Sequence, residues 1–142
     1  MRERRLAREV ALQAIYAQEL SGNNIKTVAA DIIDKSEELS DELKSFAGEI
    51  FRLATLNKKE IDDYIKTKSE NWTFDRIAII DRLIIRMAIC EFLYFEDIPP
   101  KVSISEAIEI AKKYSTDDSS AFVNGILDAV LHLIMEKKPD KQ

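Results

Sequence analysis

The chain has 142 residues, of which 46% are hydrophobic and 33% charged, with a formal net charge of −5. This length suits one domain able to bury roughly two-thirds of its unfolded surface, and the composition excludes a disordered or low-complexity chain. The acidic total argues against a general nucleic-acid coat, and no apolar run reaches the roughly 18 residues that a transmembrane helix needs.

The charge is unevenly spread. Arg2, Arg4, Arg5 and Arg8 outweigh Glu3 and Glu9 among the first ten residues, which carry +2 on a chain whose remainder carries −7. A basic end on an acidic body suggests a local anion-binding patch, though an ordinary charged terminus has the same signature.

Gly and Pro number three each, which favours long helices. The first is expected over about Arg4 to Leu20, with Leu6, Ala7, Val10, Ala11, Ala14 and Ala17 on one side. It should end at Ser21-Gly22-Asn23-Asn24, where Gly and Asn favour left-handed geometry. A shorter helix follows over about Thr27 to Lys35. Ser40 is a good cap for a third, whose inward face is Leu43, Phe46, Ala47, Ile50, Phe51 and Ala54. Asn57 and Glu60 have capping-box spacing for a fourth, with Ile61, Tyr64 and Ile65 inward.

Asn71-Trp72-Thr73 breaks the pattern, and Thr73 can cap a fifth helix over about Phe74 to Tyr94. That segment is apolar nearly all round, the profile of a central helix. Asp97-Ile98-Pro99-Pro100 ends it. Ser103 and Glu106 have the spacing of a capping box for the sixth helix, through Tyr114. The seventh is expected over about Ser120 to Lys137, with Val123, Ile126, Leu127, Val130, Leu133 and Ile134 inward. Gly125 inside it costs about 1 kcal/mol relative to Ala, which close contact with another backbone would offset. The expected fold is all-α: a single domain over residues 1–142, a compact bundle of about seven helices in two packed sub-bundles divided near Ser69 to Thr73.

Catalytic chemistry is poorly represented. His132 is the only histidine and faces polar positions, as a surface residue would. Cys90 is the only cysteine and lies in an apolar run, which reads as a packed small residue in a reducing compartment. One Cys and one His cannot build a usual structural zinc site. No phosphate-binding Gly-rich loop is present. The pairs Glu37-Glu38, Asp62-Asp63 and Asp117-Asp118 are adjacent and so diverge on a helix, the pattern of solvated faces. No catalytic residue, metal or cofactor is expected. Without a signal-peptide apolar core, the expected location is cytoplasmic.

The basic start has more to offer. Arg4 and Arg8 are one turn apart, with Arg5, Leu12 and Tyr16 in a neighbouring strip. Arginine forks bind phosphate oxygens, and an exposed aromatic beside them can stack an unpaired base, which is how single strands of RNA are commonly held. Roughly three such phosphate contacts would give a salt slope near 0.7 per contact. Tyr16 can equally be a core-edge residue, and Phe122, at the margin of the last helix's stripe, is open to either packing or base stacking.

These residues resemble a known family. Arg4-Arg5-Leu6-Ala7-Arg8-Glu9 with Ala11-Leu12-Gln13-Ala14-Ile15-Tyr16 is similar to the arginine-rich first helix of NusB proteins. Asn71-Trp72, Arg76-Ile77, Asp81-Arg82 and Ile85-Arg86-Met87-Ala88 resemble the fifth helix, and Glu106 to Tyr114 the sixth. Phe122-Val123-Asn124-Gly125-Ile126-Leu127-Asp128 is the most specific match. The resemblance spans nearly the whole chain, with residues 21–70 alike mainly in pattern.

It implies a transcription antitermination factor that binds boxA-type single-stranded RNA together with NusE, the ribosomal small-subunit protein. Other Nus factors and RNA polymerase are reached through that complex, notably during ribosomal RNA synthesis. By position, Arg4, Arg5, Arg8, Tyr16, Asp118 and Phe122 would meet RNA, and Tyr16, Arg76, Asp81 and Arg86 the partner protein. Leu6 interrupts what is often a longer arginine run, and Asp81 stands where the longer Glu is familiar. NusB-like domains also precede ribosomal RNA methyltransferases, but that arrangement calls for a following domain with a cofactor loop, and the chain ends at Gln142. A purely protein-binding helical module is the other alternative. Self-association, which can mask such a partner surface, is left open.

Overall fold

The computed structural model describes residues 2–69 and 76–137, and every regular element among them is helical. The elements are α1 (Arg2–Ser21), α2 (Ile25–Val28), a π-helical turn (Ala29–Ile33), α3 (Asp41–Leu56), α4 (Lys58–Lys68), α5 (Ile79–Tyr94), α6 (Pro100–Tyr114) and α7 (Asp117–Lys137). The all-α expectation holds. No helix among the described residues is long and apolar enough to cross a membrane. Packing divides the chain into two compact units, Met1–Leu56 and Asn57–Gln142. The division falls before α4 rather than near Ser69 to Thr73, because α4 packs on α5 and α7.

In the first unit, α1 packs on α3 and on the π turn. Ala7, Ala11 and Ala14 are fully buried on α1, opposite buried Ala47, Ile50, Phe51 and Ala54 of α3. Alanines on both sides let the helices approach closely. Gly22 ends α1 at φ 72°, its N–H donating to the Gln18 carbonyl at 2.9 Å, as a left-handed C-terminal residue does.

The second expected helix starts earlier than read, at Ile25. The Asn24 side chain caps it, accepting from the Thr27 N–H at 2.8 Å. It then widens into the π turn, closed by the Asp34 N–H on the Ala29 carbonyl. A π turn brings side chains five residues apart toward one face, which is how Val28 and Ile33 are both buried. Ser40 caps α3 as expected, accepting from the Leu43 N–H at 3.2 Å.

In the second unit, α5 is the central helix, buried continuously from Leu83 to Phe92 and packed against α4, α6 and α7. It begins at Ile79 rather than Phe74; Asn71, Trp72, the Thr73 cap and Phe74 lie outside the described residues. Two expected capping boxes give way to tertiary bonds. Asn57 makes no side-chain cap bond, while Glu60 accepts from the Tyr94 hydroxyl at 2.5 Å. Burial, and then that bond, hold the Tyr94 hydroxyl well above the usual phenol pKa. Likewise α6 starts at Pro100, three residues before Ser103, and the buried Ser103 hydroxyl donates to Glu91 of α5 at 2.6 Å. Helix α7 starts at Asp117, ahead of the expected Ser120, with Asp117 and Asp118 in its first turn, where negative charge favours the helix dipole.

Gly125 does not meet a neighbouring backbone. It is exposed, and among the described residues a methyl group added there would meet nothing within 4 Å beyond its own stretch of helix. Gly125→Ala is therefore expected to raise stability by about 1 kcal/mol, through helix propensity alone. A urea titration checks this; an unchanged or lower midpoint would show that the glycine serves another purpose.

Candidate nucleic-acid interface

Three arginines of α1 were expected to face RNA, and the structure treats them differently. Arg4 and Arg5 are half-buried on the first turns of α1, whereas Arg8 is only 3% exposed. The Arg8 guanidinium lies 5.4 Å from the centre of the Phe46 ring on α3, and that of Arg4 lies 4.4 Å from it. Arg8, expected at RNA, thus has its side chain inside, against the α3 ring. It shares with Arg4 the inward-turning side of α1, one turn along, and reaches the packed face of α3. Tyr16, 37% exposed, stays at the surface, while Leu12, from the same strip, is buried.

The second unit gathers several of the other candidates. A pocket of about 300 Å³ is lined by Arg76, Ile77, Ala78 and Asp81, leading into and along the first turn of α5, and by Asp118, Ser119 and Phe122 of α7. Arg76 and Asp118 are exposed, Phe122 is half-buried and Asp81 is 6% exposed. The α7 start is tied to α5 by one bond: the Ser119 hydroxyl donates to Asp81 Oδ2 at 2.9 Å. Ser119 is held in turn by the Ser115 and Thr116 hydroxyls, at 2.9 and 3.1 Å. Asp81 Oδ1 is buried with no hydrogen-bond partner among the described residues. A buried carboxylate oxygen without a donor is costly, so a ligand bringing an N–H or O–H into this pocket would gain from meeting it. The site thus combines an aromatic surface, a cation at the mouth and a waiting acceptor.

Arg86 does not belong to any surface. It is 2% exposed and forms a two-pronged bond with Asp62 of α4, Nε to Oδ1 at 3.0 Å and Nη2 to Oδ2 at 3.1 Å. Arg86, expected to face the partner protein, thus links α5 to α4 within the second unit, and Asp62 is corrected from a solvated charge to its buried counterpart.

Sequence reasoning missed the functional placing of Ser119, Phe46 and Asp62. Ser119 is 38 residues from Asp81 and carries no local signal. Phe46 was recognised only as part of an apolar stripe. For Asp62, its place beside Ile61 and three residues before Ile65 was the available clue.

Comparison with known proteins gives a consistent result. The sequence model of the NusB family matches residues 5–132. The chain is 46% identical over 134 residues to the transcription antitermination protein NusB of Chloroherpeton thalassium, covering 94% of this chain and 64% of that protein. It thus spans a little under two-thirds of that relative's length. It is 41% identical over 137 residues to the NusB of Geobacter sulfurreducens, covering 96% of this chain and 99% of that one. Among solved structures, T. maritima NusB is similar with a TM-score of 0.83 at 35% identity, over 91% of this chain and 90% of that one. The structure of antitermination factors NusB and NusE in complex with dsRNA shares the fold, with a TM-score of 0.84 at 23% identity over 94% and 98% of the two chains.

Proposed function

The chain belongs to the NusB family, and from that premise we propose that it is a transcription antitermination factor that binds boxA-type single-stranded RNA together with NusE. In this role it promotes processive transcription, notably of ribosomal RNA operons, and reaches RNA polymerase and other Nus factors through that complex. The role contains no catalytic step and no cofactor, and its place is the cytoplasm. A protein of the same fold occurs with NusE and dsRNA, which supports NusE as a partner and RNA as the ligand class.

The observation that carries the reading is the pocket of the second unit, where Phe122, Asp118, Asp81 and Arg76 surround one space. Phe122 offers a face on which an unpaired base can stack. Asp118 stands beside it at the α7 start. The second oxygen of Asp81 accepts a donor from NusE, with exposed Arg76 at the rim. On α1, Arg4 and Arg5 hold phosphates, and Tyr16 serves RNA and NusE. Arg8 supports α1 from inside.

Fluorescence anisotropy with labelled boxA-type and scrambled RNA, with and without NusE, tests this. The expected result is a preference for boxA that strengthens when NusE is added, since linked RNA surfaces reinforce each other. With two arginines rather than three on phosphate, the α1 contribution to the log–log salt slope should be about 1.4. Equal affinity for both RNAs and no gain from NusE would overturn the proposal. NusE binding without RNA binding would move the chain to a purely protein-binding role.

A further inference from the structure

We propose that Phe46 is a positioning residue for RNA binding: its ring holds the Arg4 guanidinium in place on α1, with Arg8 fixing the same ring from the interior. The inference rests on the reading of α1 as an RNA-contacting helix and adds a residue of α3 to it.

The geometry is specific. Arg4 and Arg8 are four residues apart, so both side chains leave α1 on one side. Two guanidinium groups so placed repel each other, yet both lie over one ring, at 4.4 and 5.4 Å from its centre. The negative face of an aromatic ring attracts a cation within about 6 Å, which relieves that repulsion. The two cations are not equivalent. Arg8 is 3% exposed and Arg4 half-buried, so Arg8 secures the ring from inside and Arg4 is the one of the two that solvent reaches.

The chemistry of arginine makes this arrangement useful. A guanidinium lying over a ring can keep N–H groups directed away from it, and those are the groups that fork onto phosphate oxygens. An arginine free in solvent gives up rotamer freedom when it grips an anion; one already stacked has less to lose. Lysine could supply the charge at this position but not the plane. Phe46 itself sits half-buried on α3, whose buried face packs against α1, so the ring is carried by a fixed element rather than a loop.

The test measures boxA-type RNA affinity, with NusE present, for the unaltered protein, Arg4→Ala, Phe46→Leu, Phe46→Tyr and the double variant Arg4→Ala with Phe46→Leu. Phe46→Leu keeps an apolar side chain but removes the ring, and is expected to weaken binding about 3- to 10-fold. Phe46→Tyr keeps the ring and should retain affinity. In the Arg4→Ala background, Phe46→Leu should have no further effect, because the arginine it positions is gone. Arg4→Lys supplies an independent measurement should Phe46→Leu fold poorly: it keeps the charge, loses the plane, and should lose a similar factor. Additive losses in the double variant, equal losses for Phe46→Leu and Phe46→Tyr, or unaltered affinity in Arg4→Lys would overturn the inference while leaving the RNA reading in place. Full affinity in Arg4→Ala would instead bring down the RNA role of Arg4, and this inference with it.

Discussion

Replacing Asp62 by Ala is expected to destabilise the second unit by about 3–5 kcal/mol and to lower its melting temperature by about 10 °C or more. The reason lies with what is left behind. Arg86 is 2% exposed and points its Nε and Nη2 at the two Asp62 oxygens, at 3.0 and 3.1 Å. Guanidinium keeps its proton at any working pH, so without Asp62 a buried full charge loses its two-pronged carboxylate partner. The pair as a whole has a different weight from either half. Desolvating both ions cancels much of their attraction, so Asp62→Leu together with Arg86→Met should come close to the unaltered protein. Thermal unfolding followed by circular dichroism separates the cases. A large loss for the single change and a small one for the double places the pair as a register between α4 and α5. Equal losses in both would mean that packing volume, not the broken ion pair, sets the cost.

That pair also shows how much of the molecule was legible beforehand. Helix α5 was readable as central because apolar residues surround it, and that same fact made Arg86 anomalous: a charge between Ile85 and Met87 has no route to water. What sequence could not supply was the counter-ion, 24 residues away. The capping boxes failed for a related reason. Ser103 with Glu106, and Asn57 with Glu60, have the right local spacing, yet Ser103 is taken by Glu91 and Glu60 by Tyr94. Local capping is worth about 1 kcal/mol, and a buried tertiary bond competes on equal terms or better. Ser40 and Gly22 lie at helix ends where no such competitor intervenes, and both were readable. At the site, the side chains of Asp81 and Phe122 could be nominated one by one, but the Ser119 bond that brings α7 onto α5 could not. The burial of Arg8 was not legible because an arginine on a helix is taken to point outward, whereas a ring on the facing helix gives it reason to turn in.

Phe122→Ala is expected to weaken boxA-type RNA binding, measured with NusE present, by about 5- to 150-fold, the range that corresponds to losing one stacked base. Phe122 is half-buried at the pocket wall, so truncation also removes some packing, and Phe122→Trp is the necessary companion: it keeps a stacking face and should retain RNA affinity. The salt dependence distinguishes this contact from those on α1. Stacking releases no counterions, so Phe122→Ala should lower affinity at every salt concentration and leave the log–log slope where it was. On the proposed reading, Arg4→Ala or Arg5→Ala would remove a phosphate contact and should flatten the slope by about 0.7 each. If Phe122→Ala flattened the slope as the arginine changes do, its role would lie in arranging phosphate-binding groups, with Arg76, which lines the same pocket, the candidate. If it changed neither slope nor affinity while lowering the melting temperature, Phe122 would be a packing residue of α7, and the base-stacking part of the mechanism would be lost with the fold untouched.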